Sequence, residues 1–343
     1  MATVMAQLVS VSQHRKLKPM QIERYTVAHR ELWNQFVKNS KNGTFLFLRD
    51  YMDYHSDRFR DHSLLIRGDK SKLVALLPAN QCGEVVQSHG GLTYGGFVTD
   101  IDMKAPKMLE VFGSTLVYLQ QHGFTKFVYK TIPHIYHKVP AEEDRYALYL
   151  CHAKTTRRGV LTVIDTQHRL PFHERRARCV KRALKHGLVA RPSNDLETYW
   201  HLLTRRLLET YNTHPVHTLE EIMLLKSRLP DHIKLFACYE GELMLAGVVI
   251  YESDCVAHVQ YIAASERGKK CGALDLLFDY LTNEVYRQKP FFDFGTSDEK
   301  DGYYLNRGLI DQKEGFGARV IVHDHYEIDL AHCEPNSITT VME

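Results

Sequence analysis

The side chains best suited to chemistry lie in one stretch near the carboxyl end of the chain. A short aromatic segment, Phe291–Phe294, carries an acid at Asp293, and a polar turn with Ser297 and Glu299 follows it. The stretch ends in a Lys-Glu-Gly-Phe-Gly sequence, whose Lys313 is a candidate cation for a developing oxyanion or a phosphate. Polar groups gathered between a strand and a helix are typical of ligand sites in α/β domains. An ordinary solvated turn is the alternative, and the residues alone leave both open.

A second candidate group lies on the predicted strand 256–263. Alternation along a strand places His258 and Gln260 on one face and Tyr261 on the other. Histidine and carboxylate side chains are common general bases, so His258 and Asp293 are candidates for that role. Each could equally be a satisfied core group. Gln260, Ser297 and Glu299 are candidates for orienting a substrate.

Two stretches of the first half are unusual in composition. Residues 49–59 are dense in aromatic and charged groups, which are costly to bury without partners. Residues 88–96 place four glycines around a His and a Tyr, and glycines allow close approach of the backbone to a ligand. The alternative for residues 49–59 is a helix with one solvated face, and the alternative for residues 88–96 is a structural turn. The functional interpretation makes a wall of the substrate site from Tyr54, His55, Arg58, His89, Tyr94, Lys130 and Tyr136.

The segment 171–187 combines a packing face with positive charge. Its apolar residues recur at three- and four-residue spacing, which predicts an amphipathic helix. The other face carries Arg175, Arg176, Arg178, Lys181, Arg182 and Lys185. A solvated basic face is the commoner explanation, and a binding site for phosphate or RNA is the alternative.

Length and composition indicate the broad class of protein. The 343 residues fit two domains of common size, and an apolar share of 44% with 25% charged residues is typical of globular proteins. A net charge of +3 does not by itself indicate a nucleic-acid partner. The seven cysteines are scattered and form no CxxC, which predicts a reducing, cytoplasmic location.

Several classes of function find no support. No apolar run approaches the roughly 18 residues that cross a bilayer. The histidines form no HExxH and do not adjoin cysteines at zinc spacing, so we expect no metal site. A Ser-His-Asp hydrolase of the GxSxG type is not indicated either.

The predicted elements follow a similar order in the two halves. The first half contains a predicted strand at 44–48 and a helix at 107–123. In the second half, hydrophobic periodicity and turn residues predict a strand at 160–164, helices at 196–211 and 219–229, strands at 233–239, 243–251 and 256–263, a loop at 264–272, and a helix at 273–286.

This order resembles the core of the GNAT acyltransferases: three strands, a loop with glycines and lysines, a helix, a strand and a last helix. The closer resemblance is to FemAB-like proteins of that superfamily, of the kind encoded among bacterial surface-polysaccharide genes. It is carried by the basic run 175–183 with Gly187-Leu188, and by Phe292–Gly295, Gly308-Leu309 and Lys313–Gly317.

The resemblance implies an α/β (α+β) fold of two tandem GNAT-like domains, each a mixed, mostly antiparallel sheet flanked by helices. We expect domains at 20–157 and 158–330, between a flexible extension at 1–19 and a tail at 331–343, with the acceptor in the cleft between them. It also implies an acyl-CoA-binding loop, in which backbone amides at a helix N-terminus hold a pyrophosphate. The residues of that loop are Arg267, Gly268, Lys269, Lys270, Gly272 and Ala273.

The implied function is an N-acyltransferase with Lys313, His258 and Asp293 as catalytic residues. It would move an acyl group, most simply acetyl, from acyl-CoA to the amine of an amino sugar on a nucleotide or lipid carrier, in surface-polysaccharide biosynthesis. One alternative is a Fem-type aminoacyltransferase that uses aminoacyl-tRNA. Another is a non-catalytic nucleotide-sugar-binding protein. The sequence predicts no oligomeric state.

Overall fold

The computed structural model describes residues 20–335 and Ile338. The predicted extension 1–19, and the predicted tail after Pro335 apart from Ile338, lie outside the described residues. Among the residues that are described, no helix combines the length and the apolar character that a membrane span requires.

The described part of the chain contains ten α-helices and seventeen β-strands. The helices are α1 (Arg30–Asn39), α2 (Arg49–Met52), α3 (Ala105–Gln121), α4 (Glu143–Leu150), α5 (Glu174–Lys185), α6 (Leu196–Tyr211), α7 (Leu219–Arg228), α8 (Glu266–Cys271), α9 (Ala273–Tyr280) and α10 (Arg307–Glu314). The strands are β1 (Gln21–Arg24), β2 (Arg60–Asp61), β3 (Leu64–Arg67), β4 (Leu73–Leu77), β5 (Asn80–Cys82), β6 (Val85–Gln87), β7 (Val98–Thr99), β8 (Lys126–Lys130), β9 (Lys154–Asp165), β10 (Val189–Ser193), β11 (Ile233–Glu240), β12 (Leu243–Glu252), β13 (Val256–Ala264), β14 (Phe291–Thr296), β15 (Asp298–Glu299), β16 (Tyr304–Leu305) and β17 (Arg319–Asp329).

Local capping explains why two helices of the second half begin and end where the periodicity predicts. The Asp195 side chain accepts a hydrogen bond from the first turn of α6, and Asn212 ends that helix in the left-handed conformation. Thr218 and Glu221 form a capping box at the start of α7. The predicted helix at 196–211 is therefore confirmed at both ends.

The strand predicted at 44–48 is wrong. Phe45–Phe47 form a single 3-10 turn, closed by hydrogen bonds from Phe47 N to Thr44 O (3.0 Å) and from Leu48 N to Phe45 O (3.1 Å). All three residues of the turn are buried. Strand alternation would have turned one of them away from the core, whereas the turn keeps all three inside.

The loop predicted at 264–272 contains a helix, α8. The Ser265 hydroxyl accepts a hydrogen bond from Gly268 N (3.0 Å) and so caps the helix at its start. Gly272 ends the helix with a φ of 84°, which only glycine adopts easily. The serine and the glycine are ordinary helix signals that the loop assignment overlooked.

Two parallel strand pairs stand at corresponding places in one continuous sheet. The sheet has eleven strands in the order β10-β11-β12-β13-β14-β9-β17-β8-β6-β5-β2. Its pairs β13–β14 and β6–β8 are parallel, and its other pairs are antiparallel. The predicted mixed, mostly antiparallel α/β architecture is confirmed.

The last long strand joins the two halves. β17 pairs with β8 of the first half and with β9 along most of its length. The boundary predicted between residues 157 and 158 falls inside β9, where the sheet is continuous. The domain limits stay a prediction.

Three hydrophobic clusters fill the described part of the molecule. One packs α3 and α4 on strands of the first half that include β3, β4 and β8, and another packs α5 and α9 on β11 to β14. The third, which we call the interface core, contains Tyr94 and Tyr136 of the first half together with Val256 and Tyr261 of β13. The halves are therefore packed on each other through an apolar core.

We expect stability to fall as the pH is lowered from about 7 to about 5, because several imidazoles are held neutral by burial. Burial lowers the pKa to about 4 for His55, His62, His137, His217 and His323, and to about 3 for His325. Between these values and about 6.5 the unfolded chain binds more protons than the folded one, so acid favours unfolding. Urea unfolding at the two pH values measures the effect.

His62→Leu provides the sharper form of this test. The His62 ring packs 4.8 Å from the Phe124 ring, and we expect its replacement to reduce the pH dependence. His201→Leu, on the exposed side of α6, is the matched control and should leave the dependence unchanged. Equal stability of the unaltered protein at both pH values would contradict the expectation.

Candidate active site between the two halves

The parallel strands β13 and β14 separate soon after they meet. They pair only over residues 256–258 and 291–293. Beyond that point β14 bends, since Gly295 has a φ of 73° and the register with β9 shifts between Asp293 and Thr296. The carboxyl ends of the two strands are therefore not joined to each other.

A bulge in β13 changes which side chains share a face. The register with β12 skips Gln260, which has no opposite residue. One extra residue inverts the alternation, so Tyr261 packs in the interface core together with Val256, whereas Val259 packs in the core of the second half. The prediction that Tyr261 faces away from the His258 side is wrong for this reason.

Asp293 is a buried carboxylate with three hydrogen-bond donors. Its Oδ2 atom accepts from the Tyr136 hydroxyl (3.0 Å) and from His258 Nδ1 (2.8 Å), and its Oδ1 atom accepts from Gly295 N (2.7 Å). Only 1% of the residue is exposed. Burial by itself raises the pKa of this carboxyl, but the neighbouring imidazole and the hydrogen bonds hold the pKa below its ordinary value.

The bond to Asp293 determines which nitrogen of His258 carries a proton. An ionised carboxylate only accepts hydrogen bonds, so Nδ1 is the protonated nitrogen and Nε2 keeps the lone pair when the ring is neutral. The side chain is 12% exposed. His258 can therefore act as a base through Nε2 while Asp293 holds the ring in place.

Lys313 reaches the same strand end from α10. Its Nζ donates to the carbonyls of Gly295 (3.1 Å) and Thr296. Burial lowers its pKa to about 8, although Asp293 and Asp298 act in the opposite direction. Lys313 is thus a cation beside the His258–Asp293 pair that can lose its proton near neutral pH.

An apolar cavity of about 210 Å³ lies between β13, β14, α6 and α10. Its walls are mainly Leu203, Leu207, Tyr211, Val259, Ile262, Phe278, Phe294, Leu309, Lys313 and Phe316. The side chains of Val259 and Phe294 stand on the two strands that separate, so the gap between β13 and β14 contributes to the cavity.

A larger groove of about 870 Å³ adjoins this cavity. The two spaces share the lining residues Lys269, Leu274 and Gln312, so they lie side by side. The groove is lined by charged and polar side chains and by glycines: His173, Arg175, Arg176, Gly268, Asp275, Gly308, Asp311, Glu314, Gly315 and Arg319. It can receive the charged end of a ligand whose apolar end enters the cavity.

The structure places the six residues predicted to bind a cofactor in different surroundings. Gly268 and Lys269 line the groove, and a Cβ atom on Gly268 would lie 2.4 Å from Leu245 O, so only glycine fits there. Arg267 instead pairs with Glu240 at the surface (2.6 Å). The other three are the exposed Lys270, the left-handed Gly272 and the buried Ala273 at the start of α9.

Most of the predicted substrate wall of the first half is buried. Tyr94 donates to Thr44 Oγ1 (2.9 Å), and its ring lies 4.4 Å from that of Tyr136. His55 stacks on Tyr54 at 4.3 Å, and the His55 and His89 rings are 5.0 Å apart. These side chains pack against one another where the halves meet.

Arg58 connects the two halves across this contact. Its guanidinium donates to Glu221 of α7 (2.6 Å) and lies over the Tyr54 ring at 5.4 Å. Neither Glu221 nor Thr44 was a predicted site residue. Both are ordinary polar residues in sequence, and only the packing of the halves gives them partners.

The remaining predicted acceptor residues bond to their own surroundings. Lys130 Nζ donates to three carbonyls of the glycine-rich loop, at 3.1, 3.2 and 2.6 Å, and burial lowers its pKa to about 8. Ser297 shares a hydrogen bond with Thr162 (3.1 Å), and Glu299 accepts from Asn306 (2.7 Å). Their assignment to the acceptor stays a prediction.

Strand register also aligns three basic residues, a row that no local sequence pattern indicates. Lys130, His325 and Arg157 are directly opposite one another on β8, β17 and β9. Arg157 pairs with Asp298 (3.0 Å), and its Nε atom is buried without a partner. The three positions lie far apart in the chain, so only strand register brings them together.

No group of three or more His, Cys, Asp or Glu residues in the described ranges is arranged to hold a metal ion.

We expect Asp293→Ala to lower the free energy of unfolding by about 3 kcal/mol, because three buried donors lose their acceptor. Urea denaturation measures the loss. Asp165→Ala, on the neighbouring strand, is the matched control. Asp165 pairs with a largely exposed His168, and we expect a change below about 1 kcal/mol. Equal effects of the two substitutions would contradict the role of Asp293.

No protein-family model matches the chain, and no curated protein matches it. Solved structures do. FemX superposes with a TM-score of 0.64 at 12% sequence identity, over 94% of this chain and 100% of its own. L-PGS from Bacillus licheniformis gives a TM-score of 0.59 at 14% identity, over 93% and 96%.

A third solved structure is a tandem GNAT protein from the clavulanic acid biosynthesis pathway. It gives a TM-score of 0.51 at 9% identity, over 92% of this chain and 100% of its own. These likenesses cover both halves of the chain. The chain therefore has the fold of FemX and of a tandem GNAT protein.

Proposed function

We propose that this protein is an acyltransferase that moves an acyl group from a thioester, acyl-CoA, to an amine. The observation that carries the proposal is the junction of β13 and β14. There the His258–Asp293 pair lies beside the partly buried Lys313, and Lys313 also lines an apolar cavity that adjoins a charged groove. The likeness of the fold to FemX and to a tandem GNAT protein supports the same class of reaction.

The apolar cavity and the adjoining charged groove suit the apolar arm and the phosphates of acyl-CoA. The thin, mostly apolar arm of the donor fits a cavity walled by Leu, Ile and Phe side chains. Its phosphates need cations and backbone donors, and the adjoining groove offers Arg175, Lys269 and Arg319. Acetyl-CoA is the simplest donor of this kind.

The proposed chemistry uses the groups at the end of the gap. His258 Nε2 takes the proton from the acceptor ammonium, and the neutral amine attacks the thioester carbonyl. Lys313 faces the developing oxyanion, and the C–S bond breaks as the amide forms. With a pKa of about 8, Lys313 can give a proton to the departing thiolate, and the second proton of the attacking nitrogen restores the Lys313 ammonium as the amide forms.

The proposed acceptor is an amine on a phosphate-bearing carrier, such as an amino sugar linked to a nucleotide or lipid. Val163, opposite Asp293, and Arg157 lie on the same face of β9. The two positions are six residues apart, on the order of 20 Å along the strand. Arg157 is the member of this row offered to a phosphate, since burial holds His325 neutral and Lys130 donates to three carbonyls. We propose that it binds the phosphate end of an elongated acceptor whose amine lies at His258.

One specific observation supports a second candidate, transfer from aminoacyl-tRNA. The outer face of α5, beside the groove, exposes Arg178, Lys181, Arg182 and Lys185. A strip of this kind suits a nucleic-acid backbone. Surface-polysaccharide biosynthesis stays a prediction from the sequence resemblance, and a cytoplasmic location stays a prediction from the scattered cysteines.

The donor assignment predicts that acetyl-CoA binds and that Arg175→Glu weakens the binding at least about tenfold, since the groove loses a phosphate partner. Isothermal titration calorimetry measures both. Arg178→Glu is the matched control one turn along α5, outside the groove, and should change the affinity about twofold at most.

Other outcomes of the same titrations would select an alternative. If acetyl-CoA does not bind but charged tRNA does, with an affinity that falls steeply with salt, the aminoacyl-tRNA function holds. If only a nucleotide sugar binds, the protein is a binding module on this fold.

The acceptor assignment predicts that uridine diphosphate, used as a probe, binds through Arg157. We expect Arg157→Gln to weaken that binding about tenfold. Arg158→Gln is the control, because Arg158 is the adjacent residue on the opposite face and pairs with Asp324 (2.6 Å). Equal effects of the two substitutions, or no binding to the unaltered protein, would dismiss the phosphate row.

A further inference from the structure

We propose that Tyr136, which belongs to the first half, is a positioning residue for the His258–Asp293 pair of the second half. Its hydroxyl and His258 Nδ1 bond to the same carboxylate oxygen, at 3.0 and 2.8 Å. The catalytic consequence of this arrangement rests on the proposed function. The effect of Tyr136 on the basicity of the His258 imidazole does not depend on that function.

Among the residues that the structure describes, the Tyr136 hydroxyl has no competing hydrogen-bond partner. The residue ends the 3-10 turn His134–Tyr136, is 4% exposed, and packs against the Tyr94 ring. Its one hydrogen bond from the hydroxyl goes to Asp293. Burial, followed by the nearby Asp293 charge, holds the pKa of this phenol well above its usual range, so it stays a donor at any pH near neutrality.

Sharing one oxygen links the tyrosine to the basicity of the imidazole. A carboxylate that accepts from Tyr136 has less charge to offer His258, so the imidazolium form is stabilised less than by Asp293 alone. The other titratable groups around the pair are Tyr94 and Lys313. Neither is hydrogen-bonded to Asp293.

The arrangement also explains why the first half is needed at the site. The groups that would act on the substrate, His258, Asp293 and Lys313, all come from the second half. The first half completes the carboxylate's hydrogen bonds from the turn after β8. We infer that the second half, without the Tyr136 hydroxyl, holds an imidazole of altered basicity.

The test is an NMR titration of the full chain labelled in its histidine rings, with His258→Gln used to assign the His258 signals. We expect Tyr136→Phe to move the midpoint of the His258 titration upward by about half a pH unit or more, because Asp293 loses its second donor. Tyr94→Phe is the matched control. It removes a buried hydroxyl from the adjacent ring, one bonded to Thr44, and should leave the midpoint unchanged.

A second variant guards against misfolding of Tyr136→Phe. Replacing Tyr136 with 3-fluorotyrosine keeps the ring and makes the hydroxyl a stronger donor, so the midpoint should move downward. Opposite movements in the two variants support the proposal. An unchanged midpoint in both, or an equal movement in Tyr94→Phe, would overturn it.

Measurements of turnover distinguish a failure of the Tyr136 role from a failure of the proposed function. If acetyl-CoA is a donor, Tyr136→Phe should lower kcat about tenfold with little change in KM, and the pH profile should move with the NMR midpoint. If the unaltered protein shows no acyl transfer, the proposed function fails while the NMR result still decides the role of Tyr136.

Discussion

The structure depends on one buried charge, the carboxylate of Asp293. A carboxylate that is 1% exposed requires donors around it, and it finds them in three different places: the first half, strand β13 and its own backbone. The backbone donor, Gly295, has a positive φ, which glycine alone adopts at little cost. Satisfying this carboxylate therefore bends β14, orients His258 and ties the halves together.

The separation of β13 and β14 creates the space that a ligand could use. Strands that stayed paired to their ends would fill the region now occupied by the cavity. The bulge at Gln260 and the bend at Gly295 act on opposite sides of the gap, and α10 brings Lys313 to its edge. The adjoining charged groove is formed by α5, α8, α9, α10 and the segments next to them, so the site has an apolar and a charged compartment.

Some elements of this fold are predicted correctly from sequence and others are not. Periodicity and caps located α6 and the three strands β11 to β13, because those signals are local. The run at 44–48 was wrongly predicted as a strand, since consecutive apolar residues do not distinguish a strand from a buried turn. Tyr261 was placed on the wrong face because a bulge is decided by the partner strand.

The sequence by itself determined the two-part order of elements, the carboxylate and lysine near the end of the chain, and the glycines that permit the turns. Only the tertiary structure decided what these groups touch. Tyr136, His258 and Asp293 are up to 157 residues apart, and their contact follows from the packing of the two halves. The row Lys130–His325–Arg157 likewise exists only through strand register, which hydrogen bonds between distant segments establish and no local pattern encodes.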